Sequence, residues 1–157
     1  MSAKRRIRGG NLLARALKEK GIEHVFTLSG GFCNPALEGF MECQMRVINC
    51  PHEQIAGHLA DAHARLTRKP AVCIVGPEGF ANAVPAMMEA WGERSPVIFV
   101  TGSSTLKRRG SGGFKEIDDV AIAAPLVKES IGITDGTRIG EIVDRAYKIA
   151  TSGYSGP

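Results

Sequence analysis

The residue whose type and placement most suggest chemistry is Glu53, in the stretch NCPHEQIAGHLADAHARLTRKPAVCIVGPEG, residues 49 to 79. It follows a short apolar run and opens a segment built mostly of alanine, glycine and leucine. In the first turn of a helix the macrodipole favours the carboxylate, while burial favours the neutral acid. A group held between these states can pass a proton, as acid–base chemistry requires. A glutamate that only stabilises its own helix end would occupy the same position, so placement alone leaves both roles open. Ala56, Gly57, Ala60 and Ala64 recur at three- and four-residue steps from Glu53 and share its helix face. Such a face admits close approach of a packed neighbour, a partner subunit or a cofactor ring.

The other chemistry-bearing residues are quieter. His52 and His58 are six apart, about 240° around a helix, so the H-E-x-x-H zinc arrangement is not encoded and no metal ligand is assigned to this chain. Cys33, Cys43, Cys50 and Cys73 form no C-x-x-C pair, which leaves reduced thiols and a cytoplasmic setting as the expectation. The net charge is +4, with basic clusters at Lys4, Arg5, Arg6 and Arg8 and at Lys107, Arg108 and Arg109. No aromatic residues interleave with them, so a solvated tail (residues 1–8) and a solvated loop are expected, and nucleic acid is not an expected partner. No apolar run approaches the roughly 20 residues that span a bilayer, so no membrane partner is expected either.

The elements that must position Glu53 follow from periodicity. NLLARALKEKG has helical spacing and ends at Gly21. HVFTLSG reads as a strand entering the turn at Gly30 and Gly31, and NPALEGFMEC as a helix with Asn34 as its cap and Pro35 in its first turn. MRVINC is a strand, residues 51–67 a long helix, and AVCIV a strand. GFANAVPAMMEAW is a helix with Pro85 near its start. SPVIFVTG is apolar without alternation, as in a parallel strand covered on both faces. The glycine-rich basic loop from Gly102 to Phe114 is expected to be poorly ordered. APLVKES and IGITDG form a weak strand region, and TRIGEIVDRAYKIATSG is a closing amphipathic helix. The 157 residues therefore predict one α/β domain, a three-layer and mostly parallel sheet flanked by helices. The closing SGYSGP reads as a turn toward a further strand or linker, as in a chain that is cut or split.

In such a sheet, ligands gather at the carboxyl ends of strands. Three turns lie there, at residues 29–31, 50–53 and 76–82, and neither G-x-G-x-x-G nor G-x-x-x-x-G-K-[ST] occurs. HEQIAGHLADAHAR resembles the HEQ segment of thiamine-diphosphate enzymes, the group of acetolactate synthase, benzoylformate decarboxylase, oxalyl-CoA decarboxylase and 2-hydroxyacyl-CoA lyase. GGNLLARALKEKGIEHVFTLSGG, the segment from RKPAVCIV through PVIFVTGSS, and GGFKEIDDVAIAAPLVKES resemble further segments of that group, so the likeness runs from Gly9 to Pro157.

The resemblance implies a single pyrimidine-binding domain over residues 9–157. It implies that Glu53 is catalytic and shares a proton with the cofactor's aminopyrimidine, which activates the thiazolium C2 toward a 2-keto acid or related acyl substrate. It places Gly30, Gly31, Gly79 and Asn82 with Glu53 around the cofactor, and Phe114 and Lys115 toward the substrate. It also implies a lyase, decarboxylase or carboligase whose Mg²⁺ and cofactor diphosphate are held by a second domain or subunit. The G-D-G motif of that second domain does not occur here, so the chain is expected to be incomplete as an enzyme and to work in a homo- or hetero-oligomer. Two positions depart from the group. Glu78 stands where a proline is usual, and Lys115 where a glutamine is usual. A lysine there either favours an anionic substrate or marks a loop that points outward. A non-catalytic, flavodoxin-like binding or regulatory domain is the rival reading.

Overall fold

The computed structural model describes residues 7–157, so most of the basic tail at residues 1–8 lies outside the described residues. The elements are α1 (Gly9–Glu19), β1 (His24–Thr27), α2 (Asn34–Glu42), β2 (Arg46–Asn49), α3 (Glu53–Thr67), β3 (Ala71–Val75), α4 (Pro77–Asn82), α5 (Val84–Gly92), β4 (Val97–Thr101), α6 (Asp119–Ala123) and α7 (Ile139–Thr151). The four strands form one sheet in the order β2-β1-β3-β4, and every pair is parallel. No described helix is long and apolar enough to cross a membrane.

The layers follow from the apolar faces. Leu17, Ala14 and Ala16 of α1, Leu37 and Phe40 of α2, and Ile139 and Val143 of α7 pack on one side of the sheet with Val25 and Val72. Ala56, Ala60 and Ala64 of α3, Met87 and Ala90 of α5, and Phe80 of α4 pack on the other with Phe26, Cys73 and Val75. Arg65 ties α3 to α5 by reaching Asp61, Glu89 and Glu93. On the first face, α1 and α2 cross at a backbone contact, where a Cβ on Gly10 would meet the Pro35 carbonyl and one on Gly39 would lie 2.6 Å from the Gly10 oxygen.

Four sequence expectations are revised. Asn34 is already helical, and Cys33 holds the cap position without a side-chain bond. The GFANAVPAMMEAW segment breaks into α4 and α5 at Ala83, because Pro85 lacks an N–H and is tolerated only in the first turn of the second helix. The expected strand over APLVKES and IGITDG is not formed: Ala124–Leu126 make a 3₁₀ turn, and the stretch that follows does not pair. A strand exists only through its ladder, and a cavity of about 460 Å³, lined by Val97–Thr101 on one side and Ser130–Ile133 on the other, separates this segment from β4. For the same reason β4, read as a strand covered on both faces, lies at the sheet edge with Ile98, Phe99 and Val100 only half-buried.

Several helix ends are set by local chemistry. Gly21 takes φ +78° after α1, but Gln44 takes φ +54° after α2, Arg68 φ +55° after α3 and Arg94 φ +57° after α5, so three helices end in left-handed residues other than glycine. Lys128 closes α7 by donating its ammonium to the carbonyls of Ile149, Ser152 and Tyr154. The 102–116 loop is not without anchors: the Glu116 carboxylate accepts from the Gly110 and Gly113 N–H groups, the latter at 2.9 Å.

Candidate functional site

The chain leaves β1 for one side, through α2 to β2, and returns across β1 to β3 on the other. The two crossover helices lie on opposite faces, so a crevice opens between the carboxyl ends of β1 and β3. Ligands of open parallel sheets bind at such a reversal. The 28–33 turn follows β1, Cys50–His52 follow β2, and Gly76 with α4 follows β3. The loop after β4 closes in as well: a Cβ on Gly102 would strike Phe32 of the β1 turn.

Glu53 is the first residue of α3. His52 sits before it in extended backbone and accepts the Gln54 N–H on its Nδ1 at 3.1 Å, which fixes the helix start and the direction of Glu53. The Glu53 carboxylate accepts from Asn82 Nδ2 at 3.1 Å, and among the described residues it has no ion pair. It lies against Gly79, where a Cβ would stand 2.5 Å from its Cγ and 2.7 Å from its Oε1. Glycine at position 79 therefore makes the room in which Glu53 lies, and Asn82 orients it. A half-buried carboxylate with one neutral donor and no cation keeps an oxygen free for a partner with a polar N–H or ring nitrogen. This fits an aminopyrimidine, the part of thiamine diphosphate that Glu53 was expected to meet.

The remaining expected site residues are distributed less tightly. Gly30 and Gly31 are exposed in the turn after β1, with nothing near the position of a Cβ. Phe114 is 77% exposed, and its ring lies 5.1 Å from the Lys115 ammonium. Lys115 forms an ion pair with Glu78 and takes a left-handed φ of +59°. Among the described residues no cluster of three histidine, cysteine or acidic side chains is placed to hold a metal.

The small face of α3 is not an interface with a second chain. Ala56, Gly57, Ala60 and Ala64 are buried inside this domain, and the missing Cβ of Gly57 lets Ala86 of α5 approach. The close approach expected there is a packed neighbour, because α3 must lie low on the sheet for Glu53 to reach Gly79. The outward sides of the two helices carry Ile55, Leu59, Met88 and Trp91, all more than two-fifths exposed.

Two groups escaped the reading of the sequence. Burial, with the charges of Glu78 and Glu53 adding to it, pushes the Cys33 thiol up to about 11. Cys33 gave no signal in the sequence, being a lone cysteine before a helix. The second is Asp119, buried beside the cavity with one carboxylate oxygen unpartnered. Its signal was the Asp118–Asp119 pair: Asp118 caps α6 by accepting the Ala121 N–H at 3.0 Å, which leaves Asp119 to face inward.

Burial pushes the Asp119 carboxyl up to about 6, with Asp118 adding to the rise and Thr101 and Arg109 opposing it. The folded state then holds the proton more tightly than the unfolded chain. The stabilisation is complete below the ordinary aspartate range and is lost as pH rises through about 6. Asp119→Asn is expected to remove this dependence and to raise stability at pH 8 by about 1–2 kcal/mol. Urea unfolding of both proteins at pH 5 and pH 8 checks it. Equal gains at the two values would mean that Asp119 is not the titrating group.

Comparison with known proteins adds to this geometry. Residues 7–122 match the family described as "Thiamine pyrophosphate enzyme, N-terminal TPP binding domain". Similar proteins include the acetolactate synthase large subunit IlvG of Mycobacterium tuberculosis, 37% identical over 94% of this chain and 27% of that protein. A probable acetolactate synthase large subunit of Methanocaldococcus jannaschii is 33% identical over 96% of this chain and 26% of its own length. A 2-hydroxyacyl-CoA lyase 2 of Danio rerio is 34% identical over 95% of this chain and 24% of its own length. The chain thus spans about a quarter of the length of the curated relatives it matches.

Proposed function

Because this chain belongs to the thiamine pyrophosphate enzymes, as their N-terminal TPP-binding domain, we propose that it is the pyrimidine-binding half of a lyase, decarboxylase or carboligase acting on a 2-keto acid or related acyl substrate. The observation that carries the proposal is the Glu53 carboxylate, held by Asn82 and lodged against Gly79, with no cation paired to it among the described residues. Bound thiamine diphosphate supplies a carbon nucleophile able to add to a carbonyl group.

In this reading residues 9–157 form one functional domain. Glu53 holds a proton at the ring nitrogen of the aminopyrimidine, Asn82 keeps the carboxylate turned toward it, and Gly79 leaves room for both. Gly30 and Gly31 give the ring backbone to lie against, since no side chain stands there. The diphosphate and Mg²⁺ belong to a second domain or subunit, and the working enzyme is a cytoplasmic oligomer. The outward apolar residues Ile55, Leu59, Met88 and Trp91 are the surface we assign to that association.

The test is cofactor activation. With a diphosphate-binding domain present, addition of this chain should accelerate exchange of the cofactor C2 proton for deuterium. A chain that leaves exchange at the rate given by the diphosphate-binding domain alone would point to a non-catalytic binding module.

A further inference from the structure

The two positions that depart from the family pattern meet each other. Glu78, in the first turn of α4, and Lys115, in the loop after β4, form an ion pair across 37 residues of sequence. Glu78 immediately precedes Gly79, against which Glu53 lies, so the pair stands at the lip of the Glu53 crevice. The lysine is presented there by built structure. Glu116 N–H donates to the Gly113 carbonyl at 3.1 Å, and its carboxylate gathers the Gly110 and Gly113 N–H groups. Within that turn Lys115 is held at φ +59°, a left-handed conformation that is strained for a side-chain-bearing residue. The Glu116 contacts offset that strain, and the result is an ammonium presented to Glu78 at the lip of the crevice.

We propose that Lys115 binds an anionic group of the substrate, a carboxylate, sulfonate or phosphate carried in addition to the reacting carbonyl, and that Glu78 competes with that group for the lysine. This rests on reading the Glu53 crevice as the cofactor and substrate site. A pair with both side chains at least a third exposed contributes little to stability, so exchange of one anion for another at Lys115 is nearly free of cost. Glu78 also repels the incoming anion until the lysine is released. The pair therefore selects: a neutral substrate tail gains nothing by breaking it, and an anionic tail replaces what it breaks.

The experiment uses this chain with two keto acids of equal length, 2-oxoglutarate and 2-oxopentanoate, followed by amide shifts of residues 113–117. The dianion should bind about threefold to fivefold more tightly than the monoanion, the range of an exposed ion pair. Lys115→Gln should abolish the preference, and Glu78→Gln should strengthen binding of the dianion about threefold by removing the competitor. Binding is read without cofactor and C2 exchange with it, so failure of anion selection and failure of cofactor activation are read separately. Equal binding of the two acids, no binding of either, or a preference that survives Lys115→Gln would overturn the assignment.

Discussion

Glu53→Gln is expected to slow C2 proton exchange on thiamine diphosphate by about a hundredfold or more, the scale of losing a positioned proton-transfer group. The amide keeps the shape and can still meet Asn82, but it cannot hold a proton in common with a ring nitrogen. Folding should be nearly unchanged, because the carboxylate has a single neutral hydrogen-bond partner and no ion pair among the described residues. Gly79→Ala reaches the same carboxylate by a different route. Its Cβ would arrive 2.5 Å from Glu53 Cγ and push the side chain away from the crevice, so exchange should fall while the acid itself is kept. The measurement is deuterium exchange at C2 with the diphosphate-binding domain present. Unchanged exchange in Glu53→Gln would reduce Glu53 to a helix-end charge.

Gly10→Ala is expected to lower stability by about 3 kcal/mol, although alanine is worth roughly 1 kcal/mol more than glycine inside a helix. The added carbon would fall on the Pro35 carbonyl and lie 2.7 Å from the Ala36 nitrogen. Backbone cannot rotate aside as a side chain can, so α1 and α2 would have to separate, opening the core around Leu17 and Phe40. Gly39→Ala meets the same crossing from the other side, 2.6 Å from the Gly10 oxygen. Gly140→Ala in α7 is the control: it has open space around it and should gain up to about 1 kcal/mol. Thermal unfolding of the three variants checks this, with midpoints of Gly10→Ala and Gly140→Ala expected on opposite sides of the parent. A Gly10→Ala midpoint equal to that of the parent would mean that the helices are not in backbone contact.

What could be read from the sequence was whatever had a local cause. The Gly-Gly turn after HVFT, the long helix read over 51–67 and the alternation of strand and helix all follow from spacing; β1 and the parallel order appear in the structure, and α3 forms with its start at Glu53. The small residues of α3 were also read as a close-approach face, but which body approaches is a tertiary fact, and it proved to be α5 and the sheet. The strand expected around Val127 failed because a strand needs a neighbour at hydrogen-bond distance, which no local pattern supplies. Glu78 and Lys115 were each visible as departures of opposite charge. Their meeting across 37 residues depends on where the loop after β4 folds back. Glu53 stood out by its placement, but the role expected of it came from resemblance to a family motif. Position alone did not separate a proton carrier from a dipole-stabilising end.

The placement of β4 at the sheet edge bears on how the molecule behaves in a crowded solution. Natural edges are usually blunted by a charge, a proline or a bulge, and the run Val97–Val100 carries none of these. Its unpaired edge is bordered by the cavity, which Ser130–Ile133 also line. An extended peptide that displaced residues 130–133 would find a template there, so resistance to association rests on what lies along that strand as well as on net charge. Left bare, β4 is where aggregation would nucleate, and covered, it would become as quiet as β1.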